Sequence, residues 1–170
     1  STQRIARRRL AAKLRPLMLR RLKKQVAKDL PDRIEERRDC ELGDLQRKLY
    51  LAELRRSREQ VAQIVAEKGL NKSKMHVLAA LTRLRQICCH PQLVGGKASL
   101  GSGKFEALFD LLEPLLAEGH KVLLFSQFVK ALELVQGEMK RRAIAHHVLT
   151  GSTIDRAGTV RAFEQDTNAC

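Results

Sequence analysis

Residues 119–128 read GHKVLLFSQF, and the four apolar residues in the middle, Val122 to Phe125, decide the fold. Such a short apolar run, after a Gly119 stop and before polar Ser126 and Gln127, has the pattern of a buried strand. Ahead of it, Phe105, Leu108, Phe109, Leu112, Leu115 and Leu116 recur at helical spacing, with Pro114 expected to kink or split that helix. Behind it, a helix is expected from about Phe128 to Arg141, a short strand near His147 to Leu149, and a helix from about Ile154 to Glu164. Strand, helix, strand, helix in this order predicts a right-handed crossover with a parallel sheet. The fold class expected is therefore α/β, helix-rich, with the sheet confined to the last seventy or so residues.

Upstream, GGKASLGSG from Gly95 to Gly103 is small, polar and glycine-rich, and reads as a flexible loop. It separates the expected sheet section, 104–170, from a helical section, 1–94. In that helical section Gly43 and Asp44 supply a turn and an N-cap for a long amphipathic helix ending near Gly69. Asn71 or Ser73 is expected to cap the next helix, with Val77, Leu78, Leu81, Leu84 and Cys88 on its apolar face and an end before Pro91. Residues 3–28 predict two short helices hinged near Pro16 and stopped at Leu30 and Pro31. Arg33 to Leu42 reads as a charged, exposed strand.

The charge is unevenly spread. Of 33 Lys and Arg and 19 Asp and Glu, residues 1–60 hold 19 basic and 9 acidic side chains, 61–100 hold 6 and 1, and 101–170 hold 8 and 9. The net +14 thus lies in the first hundred residues, a surface suited to a polyanion, with a solvated helical face as the alternative. No apolar run approaches the roughly 18 residues of a membrane span, and STQRIARRRL lacks the apolar block of a secretion signal. The expectation is a soluble, intracellular chain with no membrane partner. Cys40, Cys88, Cys89 and Cys170 lack the spacing of a disulfide framework and read as reduced thiols, the adjacent pair pointing in different directions on a helix.

In open parallel sheets, ligands gather beyond the carboxyl ends of strands, where helix N-termini attract anions. Two such junctions occur: Ser126, Gln127 and Phe128 after VLLF, and Thr150, Gly151, Ser152 and Thr153 before the last helix. Gly151 permits close backbone approach, and Ser152 or Thr153 can cap the helix or donate a hydroxyl to a phosphate. Ordinary turn chemistry and capping is the competing explanation. GSGKF at 101–105 lacks the glycine and hydroxyl residue of a nucleotide phosphate loop, with Ala98 and Phe105 in their places. The cysteines and His76, His90, His146 and His147 lack zinc-site spacing, and no catalytic set stands out, so no metal, cofactor or catalytic residue is expected in this chain.

Six strings, in order, resemble the Swi/Snf helicase-like ATPases: PLMLRRLKKQVAKDLPDRIE (16–35), LQRKLY (45–50), LTRLRQICCHPQL (81–93), SGKFEAL (102–108), GHKVLLFSQF (119–128) and LTGSTIDRAGTVRAFEQD (149–166). The resemblance implies the front part of a second RecA-like lobe: 1–94 as the approach to that lobe and its helical insertion, 104–170 as part of the lobe. It also implies a parent that translocates on double-stranded DNA, with ATP and magnesium bound where a first helicase lobe of the same polypeptide meets the second. This chain, lacking the phosphate loop and the arginines that complete the ATP site, is expected to hydrolyse no ATP alone.

By resemblance Ser126, Gln127, Gly151, Ser152, Thr153 and Arg156 lie near the tracked DNA backbone. Arg20 and Arg21 of the first string join them as candidate DNA contacts. The location implied is the nucleoid-bearing cytoplasm of a bacterium or the nucleus of a eukaryote. Two further readings stay open: a stand-alone basic helical module that binds nucleic acid, and a hairpin from Asp44 to His90 that docks a protein partner. An incomplete sheet would also leave an edge inviting self-association.

Overall fold

The computed structural model describes residues 2–19, 21, 26 and 34–166, in two units, Ser1–Arg38 and Asp39–Cys170. In the first unit, α1 (Thr2–Leu14) runs into a 3-10 turn, Arg15–Leu17, that holds Pro16. Pro16 lacks the N–H that would continue the ladder, so the helix tightens and ends there. The second basic helix, and the stop at Leu30 and Pro31, lie largely outside the described residues. Residues 34–42, expected as a charged strand, have no regular structure, and Ile34 stands exposed.

The second unit begins with a helical hairpin, α2 (Asp44–Lys68) and α3 (Leu70–Cys89). The turn between them is the single residue Gly69, whose φ of 74° is open to glycine at little cost. Neither Asn71 nor Ser73 caps α3: Ser73 is buried inside the helix and its hydroxyl donates to the Gly69 carbonyl at 2.7 Å. Farther along, Arg83 on α3 pairs with Glu53 on α2 at 2.8 Å. The inward face of α3 carries Leu84 and Ile87, whereas Leu78 and Leu81, expected inside, are about half exposed.

At the base of the hairpin the chain folds back through a 3-10 turn, Pro91–Val94, and enters α4 (Gly103–Ala117). Gln46, fully buried on α2, makes the junction: its amide nitrogen donates to the Ile87 carbonyl at 2.8 Å and its oxygen accepts the Gly103 N–H at 3.3 Å. Ser102 acts beside it, donating to the Cys89 carbonyl at 2.7 Å and accepting the Phe105 N–H as N-cap of α4. Gly103 is required here, because a Cβ on it would sit 2.1 Å from the Glu41 carbonyl oxygen. The buried His90 ring meets Phe105 edge-on at 4.7 Å, and its Nδ1 accepts the Gln92 N–H.

Two more helices follow, α5 (Val129–Arg141) and α6 (Arg156–Gln165). Phe109 and Leu112 of α4 and Val135 and Met139 of α5 form a core, joined by Val122, Leu124 and Ile144. Arg142 closes its edge, 4.3 Å over the Phe109 ring and paired with Glu113 and Glu138. Bonds from Arg141 and Arg142 hold the Glu138 carboxyl below its ordinary pKa. Pro114 neither splits nor ends α4, which runs on to Ala117. Among the described residues no helix is long and apolar enough to cross a membrane.

The expected α/β architecture is not formed. Among the described residues there is no strand and no sheet: residues 121–126 and 144–150 carry no ladder. In Val122–Phe125 burial alternates, with Val122 and Leu124 toward the core and Leu123 and Phe125 outward at 66% and 85% exposure. The two segments instead border an apolar cavity of about 490 Å³ floored by α5 and α6. An apolar run encodes a local tendency; a strand exists only once a second backbone takes up its donors and acceptors.

Replacing Gln46 by Leu leaves the buried Ile87 carbonyl unpaired, at roughly 1–3 kcal/mol, and the half-buried Gly103 N–H without its partner. The urea midpoint of Gln46→Leu should fall well below that of wild type, and that of Gly103→Ala as well; unchanged midpoints would remove this junction as the fold's keystone. Burial holds His90 below its ordinary pKa, so the unfolded chain binds its proton first as pH falls. Stability from this group is present above about pH 6.5 and drains away as pH drops toward the folded value. Across that window the urea midpoint should fall on acidification less steeply for His90→Asn than for wild type.

Candidate nucleic-acid interface

The first sequence-predicted junction is a turn closed on itself. The Ser126 hydroxyl accepts the Phe128 N–H at 3.1 Å and also lies 3.3 Å from the Phe128 carbonyl, which shapes the entry to α5. The Gln127 side-chain oxygen accepts from Arg85 Nη2 of α3 at 2.7 Å, across 42 residues of sequence. Gln127 therefore links the hairpin to this turn, a partnership that no local pattern announces. Both residues remain exposed.

The second junction is richer in hydroxyls. The Thr153 N–H donates to the Thr150 carbonyl at 3.2 Å, the Thr150 N–H to Thr153 Oγ1 at 2.9 Å, and the Thr150 and Ser152 hydroxyls lie 2.9 Å apart. Gly151 is exposed, and a Cβ there would meet nothing within 4 Å. Its lack of a side chain is thus not demanded by the fold.

Neither Ser152 nor Thr153 caps α6. That role belongs to Asp155, whose Oδ1 accepts the Gly158 N–H at 2.7 Å while Thr159 Oγ1 donates to its carbonyl at 2.8 Å. A carboxylate already complements the positive end of the helix. What stays open to a phosphate is the turn 150–152 and the guanidinium of Arg156, exposed at the start of α6 and without a partner among the described residues. Ile154, between turn and helix, is fully exposed.

The far end of α6 is tethered. Lys121 Nζ donates to the Phe163 and Glu164 carbonyls at 3.0 and 2.7 Å and lies 5.3 Å from the Phe163 ring. A cation on terminal carbonyls offsets the helix dipole. His147 adds a contact to Asp166 at 3.3 Å and an edge-on approach to Phe163. Of the remaining candidates, Arg21 is exposed in the first unit and Arg20 lies outside the described residues. Sequence reading missed Arg85 and Lys121 as positioning residues; the only signal was a cation inside a quoted string in each case.

Residues 1–93 match the sequence model of the SNF2-related domain. The chain belongs to the SNF2-related family. Similar curated proteins include the nuclear protein STH1/NPS1 of Saccharomyces cerevisiae, 36% identical over 160 residues that take in 86% of this chain and 12% of that protein. The ATP-dependent helicase brm of Drosophila melanogaster is 32% identical over 92% of this chain and 11% of its own length. The SNF2-related chain therefore spans about an eighth or less of these relatives. Among solved structures, the Sulfolobus solfataricus SWI2/SNF2 ATPase core in complex with dsDNA superposes with a TM-score of 0.69 at 28% identity, covering 96% of this chain and 36% of that one.

The two ends of this turn separate fold from function. Losing the Asp155 cap should cost about 1 kcal/mol, so Asp155→Ala should lower the urea midpoint while Arg156→Ala, with no hydrogen bond or ion pair to lose among the described residues, leaves it in place. A destabilised Arg156→Ala chain would mean that its guanidinium serves the fold.

Proposed function

We propose that this SNF2-related chain is part of the second motor lobe of an ATP-dependent double-stranded DNA translocase that remodels bound protein or DNA structure. In this reading residues 1–94 form the approach to the lobe and its helical insertion, 95–103 the connection, and 104–170 the front of the lobe. The chain supplies DNA backbone contacts and lobe closure; ATP and magnesium act between it and a first lobe of the same polypeptide. The observation that carries the reading is Arg156, exposed and without a partner among the described residues, beside the hydroxyl-rich turn Thr150–Thr153. A guanidinium flanked by hydroxyls and an unobstructed backbone is the donor set that phosphate contacts use. The likeness over 96% of the chain to an ATPase core solved with dsDNA supports the same partner.

A second reading is a basic helical module that grips nucleic acid through the hairpin. It is favoured by Arg55, Arg56 and Arg58, all exposed on α2 and without partners among the described residues. One titration separates the two. Affinity for a duplex, measured against salt without nucleotide, should fall steeply, and Arg156→Ala should lessen the logarithmic slope by about one. Gly151→Ala, whose Cβ meets no protein atom within 4 Å, should weaken binding without altering stability. If both variants bind as wild type does while reversal of Arg55, Arg56 and Arg58 to Glu abolishes binding, the hairpin reading replaces the motor-lobe one.

A further inference from the structure

Neighbouring residues on a helix point about 100° apart, so the sequence alone sends Cys88 and Cys89 to different surroundings. In the structure helix α3 ends at Cys89, His90 turns out of it at φ −160°, and both cysteines, half-buried, line one cavity of about 570 Å³ between α3, α4 and α5. Both are free, and the Lys104 ammonium at the start of α4 also lines the cavity and acts on each sulfur through its charge. The opposite wall is apolar, with Phe105, Leu108, Leu124 and Leu132.

Among the described residues lining this cavity, the two sulfurs are the soft ligands on offer. Among the described residues no group of three His, Cys, Asp or Glu could hold a metal ion. The next side chain, His90, is committed to the Gln92 N–H and to the Phe105 ring. Structural zinc demands four ligands and is poorly served. A soft trivalent centre that brings its own third substituent needs only two thiolates. We infer that Cys88 and Cys89 form a bidentate site for a trivalent arylarsenical, with the aryl ring seated in the adjoining cavity.

The step is a condensation. The arsenic–oxygen double bond of an arylarsine oxide and two S–H bonds break, two As–S bonds form, and the oxygen leaves as water with both thiol protons. Arsenic stays trivalent and no oxidant or reductant takes part. Burial pushes both thiols above their ordinary pKa, so they meet the oxide as the protonated thiols that this balance requires. Lys104 stabilises negative charge on either sulfur as its proton departs.

The test uses the full chain, reduced with a phosphine and titrated with phenylarsine oxide in excess 2-mercaptoethanol, read by intact-mass spectrometry and peptide mapping. One adduct per chain is expected, mapped to the peptide with Cys88 and Cys89 and released by 2,3-dimercaptopropanol. Cys88→Ser or Cys89→Ser should lose it, and the chain carrying Cys40→Ser with Cys170→Ser should keep it. The cavity is tested separately on the wild-type chain: stripping the phenyl adduct should take about tenfold more dithiol than stripping its methyl analogue, since the ring buries more apolar surface. That gap should close in guanidinium. An adduct on Cys40 or Cys170, equal retention by either single serine variant, or equal hold on phenyl and methyl forms in the folded chain would overturn the inference.

Discussion

The second unit depends on one primary amide. Helix ends leave backbone groups without partners, and a buried end must find them elsewhere. Here a carbonyl in the last turn of α3 and the first N–H of α4 come together at one junction, and Gln46 of α2 meets both. Ser102 repeats the arrangement one step along, with the Cys89 carbonyl and the Phe105 N–H. Three helices are thus joined by two short polar side chains where a purely apolar junction would strand four backbone groups. The close pass of Gly103 over the Glu41 carbonyl follows from this, since a Cβ would push α4 off the amide.

From that joint the rest of the unit is positioned. Helix α4 presents Phe109 and Leu112 to α5, and this pairing fixes the entry turn of α5, where Gln127 meets Arg85. The segment from Lys121 then does two tasks: Val122 and Leu124 enter the core, while the lysine ahead of them holds the end of α6. Helix α6, which buries no residue fully, is oriented by its polar tethers more than by packing. Its start can therefore display an exposed turn, hydrogen-bonded within itself, and an arginine without a partner among the described residues.

The helices were legible because their boundaries are local. Gly43, Gly69, Pro91 and Gly119 mark ends within a residue or two of those observed, and the apolar spacing marks what lies between. The sheet was misread for the opposite reason. VLLF shows that the segment is apolar and alternates, but its partner is a non-local fact, and the space beside it is a cavity. Turn chemistry at 150–153 was readable as such, whereas the cap fell to Asp155, the residue three ahead of the one N–H it could reach. The Arg85–Gln127 bond and the cavity that Cys88 and Cys89 both line depend on where α3 stops relative to α5. Family membership rests on ordered strings of residues and survives the loss of the sheet reading.

The hairpin, finally, has a mechanical character. It is anchored at its base, through Gln46 and through Arg85, and at its other end stands the exposed Gly69 turn. The 25 residues of α2 give it a length of about 37 Å at ~1.5 Å per residue. A pivot of about ten degrees at the base moves the tip by about 6 Å over that length. The Arg85–Gln127 hydrogen bond lies near the base, so any rotation of the hairpin there would be magnified along its length toward the Gly69 turn.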